Sequence, residues 1–336
     1  MKHVVFLAPG QLEWREVADA RVQGPDEAVV RPVVVGRCDL DRLYLAGRMP
    51  LAAGEPIGHE IIGEIVELGD RAGRMFSVGQ RVFVAAQISC GQCAPCKRGA
   101  TSRCTSVPFG ASYGMGRVGN YGGALSERIR VPFAEAMLVP LPPGMDPVPA
   151  IGLADMATDA WRAVAPQLAV RPAGRVLVTA GPCPVISLYA AGLAVSLGAS
   201  SVDYVDTDSS RRAIAEAYGA TTHQSIASTE AGYDVVVDGA SDPEILADAV
   251  QRCAPDALVT SVAPPFSAPP LPMLAMYHKG ITWRVARPDC RAGHDGAIDA
   301  CMQRGFRPDR VGPKVFRFDD AIEAWLDPAL YVAVRT

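Results

Sequence analysis

The sequence lacks the apolar stretch that an export signal or a membrane span would place at its start. The run Val4–Ala8 is too short for a signal-peptide core and far too short to cross a bilayer, so it reads as a first β-strand. Neither sign of charge is in large excess. The 32 Lys and Arg against 36 Asp and Glu leave a formal net charge of −4, which offers no broad cationic field to nucleic acid or an anionic membrane. A small-molecule partner is expected instead. Internal repeats at solenoid periods are missing. With 49% hydrophobic and 20% charged residues, the composition is neither disordered nor fibrous. A chain of 336 residues exceeds the ~250–300 at which single cores stop growing, so two domains are expected.

Cysteine is present in number. Nine cysteines in a long chain without an export signal point to metal ligation rather than a disulfide framework, and to the cytoplasm. The strongest local signal is Cys90, Cys93, Cys96 and Cys104, a C-x2-C-x2-C-x7-C run. Four closely spaced thiolates can wrap one tetrahedral Zn²⁺ and leave no open position, which describes a structural site. The other readings are chance clustering and an iron–sulfur cluster. Cys183, Cys253, Cys290 and Cys301 have no ligand spacing and read as buried or inert thiols.

The first ~150 residues carry short β-branched runs (VVFLA, EAVVRPVVVG, EIIGEIVEL, QRVFVAA, ERIRVP) between turn signals, the pattern of a barrel-like all-β unit. From about residue 155 helices and strands alternate. Leu188–Leu197, SSRRAIAEAYGA and DPEILADAVQRC read as helices, and VDYVD, YDVVVDGA and DALVTSV as strands, which implies a parallel, doubly wound sheet. ITWRVAR adds a strand, and the tail reads as a helical AIDACMQRG, a strand KVFRF and a helical FDDAIEAWL.

Cys38, in VGRCDLDRLYLAGRMP, and His59, in GEPIGHEIIGEIVELG, are residue types that ligate zinc. Singly, each is as readily a packed cysteine or a satisfied histidine. Their context resembles the zinc-dependent medium-chain dehydrogenase/reductase superfamily, of alcohol dehydrogenase type. The matching pieces, in order, are Cys38, the string GHEIIGEIVELG, the VGQRV turn, the four-cysteine run, GGALSERIRVP and the strand–helix half that follows.

The resemblance implies an α/β fold: a GroES-like β-barrel catalytic domain plus a Rossmann domain with a doubly wound parallel sheet. Residues 1–155 and 288–336 would form the former, with a structural zinc lobe at 90–104, and residues 156–287 the latter. The active site is expected in the cleft between them. By motif, Cys38 and His59 become catalytic zinc ligands, and Asp155, in the D-x-x-T of LADMATDAW, the third, with Asp159 the second candidate. Glu60 would be an alternating ligand or a group just behind the ligands, Asp41 the acid that orients His59, and Thr158 a cofactor contact. One catalytic and one structural zinc are implied, with a homodimer or homotetramer.

Two departures from the family pattern concern the chemistry. In C-G-[ST]-D-x-H, the hydroxyl residue and the histidine that pass the alcohol proton to solvent are here Leu40 and Leu43, which neither donate nor accept a proton. The usual relay is absent. The alternatives are a substitute group, reduction of iminium or enal substrates, a zinc-assisted non-redox reaction, or a silent binding protein.

The second departure is in the dinucleotide turn. VLVTAGPCPVIS, from Val176, has the strand–turn–helix outline, but only Gly181 is a glycine, and Pro182 and Pro184 have no N–H. Pro184 can stand in a first helical turn at little cost. Asp206, at the end of the next strand, fits an acid on the adenosine ribose and favours NAD over NADP, while Arg211 and Arg212 keep NADP open. GMGRVG, Gly114–Gly119, matches G-x-G-x-x-G in letters but is expected to open no helix, so it reads as a surface loop.

Overall fold

The computed structural model describes residues 1–116, 119–266 and 270–336. The chain forms two compact units, one of residues 1–158, 289–295 and 312–336, the other of residues 159–288 and 296–311.

In the first unit, β1 (Lys2–Ala8) and β2 (Gln11–Glu16) make an antiparallel hairpin. A larger sheet includes β3 (Ala28–Gly36), β4 (Glu60–Leu68), β5 (Arg81–Val84) and, beyond β5, β7 (Leu138–Pro140), these four pairing antiparallel in turn; β6 (Ile129–Val131) also pairs with β3. β-Branched side chains suit this pleated, buried surface, and Val30, Val35, Ile61, Ile65, Val82 and Val84 share one core. Pro32 interrupts β3 where the register shifts between Pro32 and Val34, so its missing N–H falls at an irregularity of the ladder.

The second unit is built on β8 (Arg175–Thr179), β9 (Ser201–Val205), β10 (Thr221–His223), β11 (Tyr233–Asp238), β12 (Cys253–Ser261) and β13 (Thr282–Val285). Their order is β10-β9-β8-β11-β12-β13 and every pair is parallel, the doubly wound sheet expected. β8 and β11 are almost continuously apolar because such a sheet is covered on both faces. Asp208 and Asp242 start the helices Ser209–Tyr218 and Pro243–Arg252 by accepting from their first-turn amides. The chain order reverses between β8 and β11, and ligands of such sheets bind outside the carboxyl ends at that reversal.

Two last strands belong to the first unit. β15 (Val332–Arg335) pairs antiparallel with β3, and β14 (Lys314–Arg317) lies parallel to β15. The structure differs from the expected division at residues 296–311, which join the second unit. Phe306 explains why: its ring packs against Tyr189 and Tyr218 there. The helix expected at AIDACMQRG starts earlier, at Cys290. Among the described residues, no helix is long and apolar enough to cross a membrane.

Candidate functional site

β3 and β4 bring the first two candidate ligands together. Gly36 pairs with Glu60 across the ladder, so Cys38, just past the end of β3, and His59, just before β4, share one edge of the sheet. Asp155 follows the short turn Ile151–Ala154. The ligand atoms of Cys38, His59 and Asp155 all lie within 4.8 Å of one another, and all three residues are buried.

This cluster is arranged for a cation. Both ring nitrogens of His59 are buried without a hydrogen-bond partner, Nε2 lying 3.4 Å from Asp155 Oδ2 and Nδ1 3.7 Å from Asp41 Oδ1. Burial opposes charge on the imidazole, but Asp41, Asp155 and Glu60 outweigh it and raise its pKa to about 9. Burial, then Asp155, Glu60, Asp41 and Asp39, hold the Cys38 thiol well above its ordinary range. Burial likewise raises Asp41 to about 6. A buried thiol, an imidazole with unpartnered nitrogens and a carboxylate are the donor set of a zinc site with a fourth position open. Asp41 Oδ2 also accepts from the Cys38 amide at 3.1 Å, which fixes the carboxylate beside His59 Nδ1.

Glu60 is held from two directions: Tyr331 Oη donates to Oε2 at 2.5 Å and the Met156 amide to Oε1 at 3.2 Å. A Cβ on Gly36 would overlap Glu60 Oε2, so this position needs glycine to let the carboxylate lie over the end of β3. Arg37, next in the chain, is buried. Its Nη1 donates to the carbonyls of Trp325 (2.8 Å) and Asp327 (2.6 Å), and its Nη2 to that of Ala329 (2.6 Å), so it clamps the segment that carries Tyr331.

Leu43 is buried, and Leu40 packs on an apolar cluster of Ala86, Met115 and Cys290. Cys290, read from sequence as an inert thiol, lies with Sγ 2.7 Å from Asp155 Oδ1. His294 is buried one turn further on; its Nε2 donates to the Ala154 carbonyl at 3.0 Å, and burial lowers its pKa to about 4. Sequence reasoning missed Cys290, Tyr331 and Arg37 because nothing in their spacing links them to the cluster. Asp159, the second candidate for third ligand, is paired with the buried Arg162. Thr158 Oγ1 donates to the Asp155 carbonyl at 2.5 Å, closing the turn that presents that carboxylate.

The ligand atoms of Cys90, Cys93, Cys96 and Cys104 likewise lie within 4.8 Å of one another. Cys90 Sγ accepts from the Gln92 and Cys93 amides at 3.4 Å and from Ser106 Oγ at 3.1 Å. Amides of Thr105 and Cys96 lower the Cys93 thiol to about 5, whereas burial raises Cys96 to about 12. Converging N–H groups of this kind stabilise thiolates.

In the second unit, Gly181 follows β8 and the helix Pro184–Ser196 begins with Pro184 in its first turn. A Cβ on Gly181 would lie 2.6 Å from the Ala240 carbonyl oxygen, so the glycine is required where the turns after β8 and β11 approach each other. Asp206 follows β9. Its carboxylate accepts from Arg211 Nε (2.7 Å) and Nη2 (2.6 Å), Tyr204 Oη (3.0 Å) and the Asp208 amide (2.9 Å). Beyond the ends of β11–β13 lies a cavity of about 290 Å³ lined in part by Asp238, Ser261 and Trp283. In GMGRVG, Arg117 and Val118 lie outside the described residues, and no helix opens at Gly119–Gly123.

The alcohol dehydrogenase GroES-like domain family matches residues 24–143. A Mycobacterium tuberculosis protein named as a probable zinc-binding alcohol dehydrogenase is 30% identical over 301 residues, 85% of this chain and 74% of that one. Among solved structures, the alcohol dehydrogenase of Thermus sp. ATN1 superposes with a TM-score of 0.88 at 26% identity, covering 100% of this chain and 99% of that one. Acetophenone reductase of Geotrichum candidum, solved in complex with NAD, shares the fold with a TM-score of 0.80 at 21% identity and coverage of 100% and 97%. With the strand order and the two ligand clusters already described, these likenesses establish that the chain belongs to the zinc-dependent medium-chain dehydrogenase/reductase superfamily, as an enzyme of the alcohol dehydrogenase type.

Proposed function

We propose that the protein is a zinc-dependent, NAD-linked oxidoreductase that interconverts a small alcohol and its carbonyl compound by hydride transfer. The observation that carries this reading is the buried cluster of Cys38, His59 and Asp155, with both His59 nitrogens left without a hydrogen-bond partner. Zinc held there supplies Lewis-acid polarisation of a substrate oxygen. The four-cysteine lobe would hold a second, closed zinc.

The chain's own residues do the rest. Asp41 keeps the imidazole turned so that Nε2 faces Asp155. Tyr331 and the Met156 amide keep Glu60 in a fixed outer position. Asp206 supports NAD: a fixed carboxylate at the end of β9 suits ribose hydroxyls, which would exchange for the Arg211 nitrogens, and it opposes a 2′-phosphate. Among the described residues no cysteine is in a disulfide, which suits a reducing compartment, the cytoplasm.

Leu40 and Leu43 favour a second reading, in which the substrate is an iminium or conjugated carbonyl that does not need the ordinary proton path. Metal analysis of the purified protein and fluorescence titration with NADH and NADPH test the proposal. Two zincs per chain and tighter NADH binding are expected. One zinc removes the open site, absence of binding to both nucleotides removes the dehydrogenase, and preference for NADPH removes the role given to Asp206.

A further inference from the structure

We infer that Cys290 is a positioning residue for the open metal site: its thiol donates to Asp155 Oδ1 and so leaves Oδ2 as the metal-facing oxygen. This rests on the zinc reading of Cys38, His59 and Asp155. The two oxygens of Asp155 are in different surroundings. Oδ2 faces His59 Nε2 at 3.4 Å, inside the ligand cluster, whereas Oδ1 lies 2.7 Å from Cys290 Sγ. A carboxylate only accepts hydrogen bonds, so the thiol is the donor.

Cys290 is fully buried and stands at the start of the helix Cys290–Gln303, packed with Ala86, Met115 and Leu40. Its backbone is fixed from two sides. The Cys290 amide donates to Gln87 Oε1 at 3.1 Å, and the neighbouring Asp289 carboxylate accepts from the Ser102 amide (2.9 Å), Ser102 Oγ (2.7 Å) and Arg103 Nη1 (3.1 Å). Ser102 and Arg103 immediately precede Cys104 of the four-cysteine lobe. The lobe therefore braces Asp289, and Asp289 sets the place of the thiol that orients Asp155. Leucine at position 40 fits this arrangement, because an apolar neighbour leaves the thiol directed at the carboxylate.

The test compares Cys290→Ala, Cys290→Ser and, as a buried-thiol control in the other unit, Cys253→Ala. Two quantities are read on the intact protein: open-site zinc affinity by chelator competition, and the spectrum of Co²⁺ exchanged into the open site while the lobe keeps zinc. Cys290→Ala should weaken zinc binding by about 10- to 100-fold and shift the cobalt d–d bands. Cys290→Ser, which restores a donor, and the control should stay within about threefold of wild type. Should the alanine variant not fold, Cys290→Val fills the thiol's volume without a donor and takes its place.

Unchanged affinity in the donor-free variant overturns the inference, as does a serine variant as impaired as alanine. A loss of thiolate-to-cobalt charge-transfer intensity in Cys290→Ala also overturns it, since Cys290 would then be a ligand itself. Wild-type protein that keeps only the lobe zinc overturns the open-site reading together with this one, and that pattern is distinct from the other three.

Discussion

Replacing Arg37 by methionine should loosen the segment 321–336, and opposing energies of similar size decide by how much. Methionine keeps most of the aliphatic volume and removes the charge and its donors. Three short bonds from the guanidinium to the Trp325, Asp327 and Ala329 carbonyls are lost. At roughly 1.5–3 kcal/mol for each bond to a charged group, they contribute about 5–9 kcal/mol. Against this, burial lowers the guanidinium pKa from 12.5 to about 10. At about 1.36 kcal/mol per tenfold, holding the charge there costs about 3 kcal/mol, which methionine recovers.

The bonds win, and a net loss of about 2–6 kcal/mol remains. Hydrogen–deuterium exchange of the peptide spanning 321–336 reads this locally, without assuming that a two-unit chain unfolds in one step. Where reclosing outpaces exchange, amides there should exchange about 30-fold faster or more in Arg37→Met. Exchange within about threefold of wild type, or slower, would refute the reasoning and show that burial of the charge outweighs its bonds.

Zinc uptake at the open site should be steeply pH-dependent. In the metal-free protein the thiol of Cys38 and the imidazole of His59 both hold protons at neutral pH, because burial and then the surrounding acids hold Cys38 above its ordinary range, and the same acids outweigh burial to keep His59 at about 9. Displacing two protons makes apparent affinity rise by about 100-fold per pH unit between pH 6 and 8, and by about tenfold per unit above pH 9; a chelator competition series giving only tenfold per unit below pH 8 contradicts this. Gly181→Val forces the turns after β8 and β11 apart, because even a Cβ would lie 2.6 Å from the Ala240 oxygen. NADH affinity should fall at least about tenfold with zinc content unchanged, and equal affinity would remove the turn from the cofactor site. If the relay's absence shapes the chemistry, Leu40→Thr should alter the pH profile of turnover. An unchanged profile, with simple secondary alcohols as good substrates, counts against the second reading.

The doubly wound half was legible because its strands and helices alternate at ordinary lengths with apolar, covered strands, which implies a parallel sheet, whereas the order of its strands was not read from the sequence. The clustering of the four lobe cysteines was legible because they are neighbours in the chain. Cys38 and His59 could be brought together only through the family resemblance carried by the motifs around them, and the structure places them side by side. What stayed hidden was everything that depends on distant partners: Cys290 reaches Asp155 across 135 positions, Tyr331 reaches Glu60 across 271, and Arg37 reaches Ala329 across 292. Contacts at such separations impose no period on the sequence. The segment 296–311 was misplaced for a related reason, since contacts with residues far back in the chain, such as Phe306 with Tyr189 and Tyr218, show which unit it joins.

The spread of these partners along the chain also orders the protein's assembly during synthesis. The four lobe cysteines leave the ribosome almost together, and N-terminal parts fold first as a chain emerges. Asp155 and Glu60 emerge well before the Cys290 thiol and the Tyr331 hydroxyl that hold them. A nascent chain halted before Cys290 would therefore carry all four lobe cysteines together with an Asp155 and a Glu60 that still lack those two donors, Glu60 keeping only the Met156 amide. On the zinc reading proposed above, the open site would thus be completed after the four-cysteine lobe.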